Sequence, residues 1–206
     1  MREICALAPV IPVLVIDDID DAVPLAEALV AGGLPVLEVT LRTPCALAAI
    51  ERMCRVPGAI VGAGTLLAPQ DMEAAGDAGA AFGVSPGTTP RLIEAAGRSP
   101  LPMLPGAATA SEVMALLEHG FDMLKFFPAE SAGGIGALRG LGGPLSQVTF
   151  CPTGGIGPDN ARGYLALDNV ACVGGSWVTP GDLVARRDWP AMAAMASMAF
   201  KETKGH

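Results

Sequence analysis

Lysine is almost missing from this chain: three of its 13 Lys and Arg residues are lysines, and two of those, Lys201 and Lys204, fall in the last six positions. Histidine is as scarce, with His119 placed as a helix end before Gly120 and His206 at the terminus, which argues against histidine-based catalysis or metal binding. The five cysteines are an odd, scattered set without a Cys-x-x-Cys pair, so neither a disulfide framework nor a zinc site is expected. No apolar stretch approaches the roughly 20 residues of a membrane-spanning helix. A net charge of -8 withholds the basic face that nucleic acid or an anionic membrane requires.

Residues 4 to 16 have the apolar character of a signal peptide, with Ala6-Leu7-Ala8 in the position of a cleavage site. Against that, Arg2 is the single positive charge ahead of the segment, Glu3 offsets it, and the run is needed as a first strand. The reduced thiols fit a cytoplasmic protein. At 206 residues the chain suits one domain spanning residues 1–206.

What the sequence does contain is rhythm. Short apolar, β-branched runs start at Val10, Val36, Ile60, Ala81, Met103, Met123, Val148 and Val170, roughly 20 to 26 residues apart, with helix-length or glycine-rich segments between them. Strands at that spacing indicate repeated βα units and a parallel sheet. Eight units predict a (β/α)8 TIM barrel; an open doubly wound sheet is the alternative. Helix punctuation supports the division. Ala22, Leu25, Ala26, Leu29 and Val30 keep helical spacing up to Gly32 and Gly33, Thr89 precedes Pro90, and Thr109 with Glu112 makes a capping box. A final helix is expected after Asp188, with Met192, Met195 and Ala199 facing the core.

Lys125 lies in Met123-Leu124-Lys125-Phe126-Phe127-Pro128-Ala129, which reads as a buried strand. An ammonium surrounded by hydrocarbon loses hydration, which favours the neutral, nucleophilic amine of an imine-forming lysine. The structural alternative is a cation paired with a carboxylate, or a buried stem whose head reaches water. In Val36-Leu37-Glu38-Val39-Thr40-Leu41-Arg42 the period of two places Glu38, Thr40 and Arg42 on one face, directed inward if the aliphatic residues pack on helices. A Glu38–Arg42 pair would be the structural reading of that face.

Glycine pairs mark the last two strand ends: Thr153-Gly154-Gly155 and Gly174-Gly175-Ser176, where this kind of barrel frequently binds phosphate. Gly62-Ala63-Gly64 does not complete a dinucleotide fingerprint, and Gly133-Gly134 lacks the lysine and hydroxyl of a P-loop. A lysine nucleophile, a proton-moving carboxylate, an arginine and glycine-rich anion nests together indicate an imine-forming enzyme for a phosphorylated 2-oxo acid, with no metal or cofactor called for.

At this point the segments resemble a known family. Leu37 to Thr43, Gly62 to Thr65, Ser85-Pro86-Gly87, Leu124 to Glu130, Cys151 to Ile156 and Gly174 to Trp177 look like the signatures of 2-keto-3-deoxy-6-phosphogluconate (KDPG) aldolase, over about residues 10 to 180. The resemblance implies a homotrimeric class I aldolase of the Entner-Doudoroff pathway that forms pyruvate and glyceraldehyde 3-phosphate. By motif, Lys125 resembles the imine-forming lysine and Glu38 its acid/base. Arg42 and Thr65 resemble the carboxylate contacts, and Pro86 and Phe127 the walls of the pyruvyl pocket. Thr153 would touch the sugar hydroxyls, and Gly154, Gly155, Gly174, Gly175 and Ser176 resemble the phosphate cradle. Cleavage of 4-hydroxy-2-oxoglutarate is a compatible second activity. The rivals are the aldolase for the galactonate epimer, a phosphosugar isomerase or epimerase, and a non-catalytic phosphate-binding barrel with Lys125 and Glu38 locked in a salt bridge.

Overall fold

The structure, a computed structural model, describes residues 1–203; the expectations for Lys204 and His206 lie outside the described residues. Its elements alternate along the chain: α1 (Arg2–Cys5), β1 (Val10–Leu14), α2 (Ala22–Ala31), β2 (Val36–Thr40), α3 (Ala46–Met53), β3 (Ile60–Gly64), α4 (Pro69–Asp77) and β4 (Phe82–Val84). There follow α5 (Pro90–Arg98), β5 (Met103–Leu104), β6 (Gly106–Ala107), α6 (Ala110–Glu118), β7 (Met123–Phe126), α7 (Gly134–Gly142) and β8 (Thr149–Pro152). The chain ends in α8 (Pro158–Leu165), β9 (Val173–Gly175), α9 (Gly181–Ala185) and α10 (Trp189–Thr203). No described helix is long and apolar enough to cross a membrane.

Every named ladder is parallel. The strands form a curled α/β arrangement in two pieces, a six-stranded sheet ordered β5-β4-β3-β2-β1-β9 and a three-stranded sheet ordered β6-β7-β8. The order runs without the reversal that marks a doubly wound sheet, and the first strand takes the last, β9, as its second neighbour. The expected strand from Met103 to Ala107 is split by Pro105, which has no N–H to give to a ladder. Thus β5 pairs with β4 while β6 pairs with β7. The expected strand at Val170 begins instead at Val173, and Val170 itself makes only an isolated bridge to Phe150.

Two apolar layers follow from the alternation along each strand. Leu37 and Val39 of β2 join the main core, where the outer sheet face meets Leu25 and Leu29 of α2 and Ile50 and Met53 of α3. Val36, on the other face, belongs to a second cluster with Ile11, Phe82, Val84, Leu104, Met123, Cys151 and Cys172. Cys5 completes that inner floor. The sequence gives no sign of α1, and Arg2 fastens it by donating to Asp122 Oδ2 at 2.9 Å, to the Asp122 carbonyl at 3.0 Å, to the Gln147 carbonyl at 2.9 Å and to Thr149 Oγ1.

The helix signals hold at α2, α5 and α6, where the Thr109 and Glu112 side chains cap reciprocally and Thr89 accepts from Leu92 N. The last helix forms as expected, but its inner stripe is Met192, Ala196 and Ala199, with Met195 half-buried. At 3.6 residues per turn Ala196, four positions after Met192, continues the stripe better than Met195.

Candidate active site

The inner face of β2 carries Val36, Glu38 and Thr40 in succession, and the inner face of β7 carries Met123 and Lys125. Above the apolar floor, Lys125 Nζ reaches Glu38 Oε1 at 3.0 Å and Oε2 at 3.3 Å. The two side chains are 6% and 4% exposed, and they come from different sheets across the interior. Space for the carboxylate is made by β3: a Cβ on Gly64 would stand 2.3 Å from Glu38 Oε1. The pair therefore depends on a missing side chain one strand away.

Thr40 and Arg42 diverge from Glu38. The Thr40 hydroxyl donates to the Leu14 carbonyl at 2.8 Å and is fully buried, so it ties β2 to β1 rather than facing a ligand. Arg42 stands beyond the end of β2, exposed and without an ion-pair partner among the described residues, so no Glu38–Arg42 pair forms. Its guanidinium is free for bidentate recognition of an anion. Thr65, just past β3, has a left-handed backbone with φ 64°, a conformation that a β-branched residue rarely takes and that costs on the order of 1–3 kcal/mol.

Around the amine, the Phe127 ring centroid lies 5.5 Å from Lys125 Nζ. Half-buried Pro86 follows β4, and a Cβ on Gly106 would meet its carbonyl group at 2.4 Å. Gly106 is the register partner of Lys125, so Pro86 lies beside the strand next to the amine. Two residues to which the sequence assigns no role hold it there: the Ser85 hydroxyl accepts from Gly106 N at 3.2 Å, and the Thr88 hydroxyl donates to the Gly106 carbonyl at 2.9 Å. The readable signal is a hydroxyl ending an apolar strand directly before Pro-Gly.

The glycine-rich strand ends meet. A single parallel bridge joins Thr153 to Gly174, and a Cβ on Gly174 would lie 2.3 Å from Thr153 Oγ1. Thr153 is buried, Gly154 and Gly155 take φ values of 102° and 77°, and Ser176 is exposed at the end of β9. Among the described residues, the amides of Gly154, Gly155 and Ser176 donate to no protein acceptor. Backbone N–H groups left open in this way can receive an anion. A cavity of about 390 Å³ beside Ser176 extends to Val13, the register partner of Glu38. Another cleft, about 720 Å³, lies between α4 and α5, lined by Glu73, Asp77, Arg91 and Arg98, with neither Lys125 nor Glu38 in its lining. Chemistry, not volume, identifies the site.

Of the residues expected at the site, Arg42 and Thr65 lie just beyond the ends of β2 and β3. Lys125, Glu38, Phe127 and Pro86 gather at the inner face of the sheets, and Thr153, Gly154, Gly155, Gly174, Gly175 and Ser176 form a neighbouring pair of strand ends. The arrangement holds an amine, a carboxylate in contact with it, and backbone amides open to an anion.

Comparison with known proteins agrees with this chemistry. The family model of the KDPG and KHG aldolases matches residues 1–195. The KHG/KDPG aldolase of Escherichia coli K12 is 50% identical over 204 residues, covering 98% of this chain and 96% of the relative. The 2-dehydro-3-deoxy-phosphogluconate aldolase of Zymomonas mobilis is 55% identical over 195 residues, covering 95% and 93%. The KDPG aldolase of Legionella pneumophila, solved with pyruvate captured as a covalent carbinolamine, superposes with a TM-score of 0.95 at 46% identity over 97% of each chain. On the family model and these identities, this chain belongs to the KDPG and KHG aldolase family.

Proposed function

We propose that this enzyme is a class I aldolase that cleaves 2-keto-3-deoxy-6-phosphogluconate to pyruvate and glyceraldehyde 3-phosphate through an imine on Lys125. The observation that carries the reading is the buried contact of Lys125 Nζ with Glu38 Oε1 at 3.0 Å, with no other cation beside the carboxylate among the described residues. From the Lys125–Glu38 ion pair, Glu38 takes one proton from the ammonium so that the amine attacks C2 of the 2-oxo acid; a second nitrogen proton makes the carbinolamine hydroxyl, and the proton held by Glu38 then lets that hydroxyl leave as water. The resulting iminium draws electrons from the C3–C4 bond while Glu38 receives the C4 hydroxyl proton. Glyceraldehyde 3-phosphate departs, the enamine is protonated at C3, and water releases pyruvate.

Around that centre, Arg42 and Thr65 take the substrate carboxylate and Pro86 and Phe127 wall the pyruvyl group. Thr153 meets the sugar hydroxyls, and Gly154, Gly155, Gly174, Gly175 and Ser176 cradle the phosphate. The left-handed backbone at Thr65 and the unpartnered guanidinium of Arg42 support the first of these roles, and the open amides support the last. The double naming of the Escherichia coli relative supports a second substrate, 4-hydroxy-2-oxoglutarate, which shares the 2-oxo acid head but lacks phosphate.

We read the two sheets as one (β/α)8 barrel in a single domain, with β5 and β6 as a strand interrupted at Pro105 and the bridge at Thr153 as the remaining seam. A cytoplasmic homotrimer completes the reading, supported by the free thiols and by family membership.

Borohydride reduction in the presence of pyruvate tests the mechanism. The expected outcome is a covalent mass increase mapped to Lys125. An unmodified protein would instead favour an isomerase or a non-catalytic barrel, in which the Lys125–Glu38 pair is only structural.

A further inference from the structure

Two side chains outside the reaction scheme meet beneath the glycine-rich loop that follows β8. Tyr164, on α8, is fully buried, and its hydroxyl donates to Glu130 Oε1. Glu130 lies just after β7, five positions beyond Lys125, and its backbone N–H donates to the Gly154 carbonyl at 3.1 Å. Its neighbour Ala129 does the same to the Thr153 carbonyl at 2.8 Å. The aliphatic stem of Glu130 fills the space under the loop, since a Cβ on Gly155 would stand 2.6 Å from its Cγ. Gly134 leaves room on the other side, where a Cβ would be 3.2 Å from the Tyr164 hydroxyl and 3.4 Å from Glu130 Oε1. Gly134, in the Gly-Gly pair that makes no P-loop, thereby acquires a structural reason.

The contact is chemically specific. Burial and the adjacent carboxylate push the Tyr164 phenol up, so the hydroxyl keeps its proton and remains a donor. A carboxylate near open amides opposes anion binding unless its charge is engaged elsewhere, and the Tyr164 phenol engages it. Because α8 begins directly after the loop, the Tyr164–Glu130 contact closes a circuit from the lysine strand through the loop to the next helix.

We propose that Tyr164 and Glu130 are positioning residues that hold Gly154 and Gly155 in the geometry that receives the substrate's phosphate, an inference that rests on the aldolase reading above. They do not touch the reacting atoms, so their loss should weaken binding of phosphorylated ligands and spare the imine chemistry. In Tyr164→Phe, KM for the phosphorylated sugar acid should rise about 10-fold while kcat stays within about 2-fold. The pyruvate concentration that half-saturates borohydride trapping should also stay within about 2-fold, because pyruvate carries no phosphate. Glu130→Ala should reproduce this pattern, and Glu130→Gln, which keeps an acceptor for the phenol, should remain within about 3-fold of wild type.

An unchanged KM in both Tyr164→Phe and Glu130→Ala would overturn the proposal. So would a parallel loss for phosphorylated substrate and pyruvate together with a lowered Tm, the mark of a general packing role. If wild-type protein fails to trap pyruvate, the aldolase reading falls, and calorimetric titration with inorganic phosphate then decides the positioning role by itself. Several-fold weaker phosphate binding in Tyr164→Phe supports it, and equal binding refutes it.

Discussion

Taking an ammonium and a carboxylate out of water costs several kcal/mol per ion, a cost that only a close partner offsets. Lys125 and Glu38 are each other's partner, at 6% and 4% exposure, so removing one should be worse than removing both. Lys125→Met leaves an unpaired buried carboxylate and is expected to lower stability by about 3–5 kcal/mol, whereas Lys125→Met with Glu38→Gln should recover most of that loss in urea unfolding. Kinetics separate the proposed catalytic role from this electrostatic one. Glu38→Gln keeps a hydrogen-bond acceptor for the amine but cannot accept its proton, so turnover should fall by about 100-fold or more in protein that still folds, though less stably because the Lys125 charge loses its partner. A variant that lost stability but kept its rate would reduce Glu38 to a structural anion. At this scale the sequence was informative because a lone lysine in an apolar run has few explanations. It did not reveal that Thr40 is consumed by the Leu14 carbonyl, since a hydroxyl facing a neighbouring strand and one facing a ligand have the same period.

Among the elements, local signals were read where chemistry is local. The α6 capping box is an example: Glu112 is held below the usual carboxylate range by its bond from the Ala108 amide, with further help from Thr109. A depressed carboxyl contributes stability above its ordinary value near 4.5 and loses it as the pH falls through its lower folded value. Glu112→Ala should therefore cost about 0.3–1.5 kcal/mol at pH 7, and the gap from wild type should close as the medium is acidified through and below that range. A gap that widened in acid would assign the loss to something other than the cap. Strand ends were less legible. Pro105 sends its two flanks to different partners, and Gly174 and Gly175 look like a turn yet pair with Ile11 and Pro12. Residues without a side chain, or without an N–H, carry no alternation by which to be read. The four-residue α1 is too short to show a periodic face, and tertiary contacts of Cys5 and Arg2 define it.

For the whole molecule, α1 acts as a plug under the inner floor, at the strand ends away from the Lys125–Glu38 pair. Arg2 joins it to the segments that begin β7 and β8. Arg2→Ala should lower unfolding stability by roughly 1–2 kcal/mol, the loss of hydrogen bonds from a charged, partly exposed group, while kcat changes less than about 2-fold. Unaltered stability would show that the plug bears no load, and a large kcat effect would show that floor and mouth communicate.

Lys125 and Glu38 ride on separate sheets, so no single helix or ladder keeps them within reach of one another. Their separation is a property of how tightly the entire wall is wound. A lesion that slackened the winding by an ångström could leave helicity, solubility and every local ladder intact, yet yield a silent protein. The Pro105 junction, where one strand hands over between the two walls, is where such distant inactivation should first be sought.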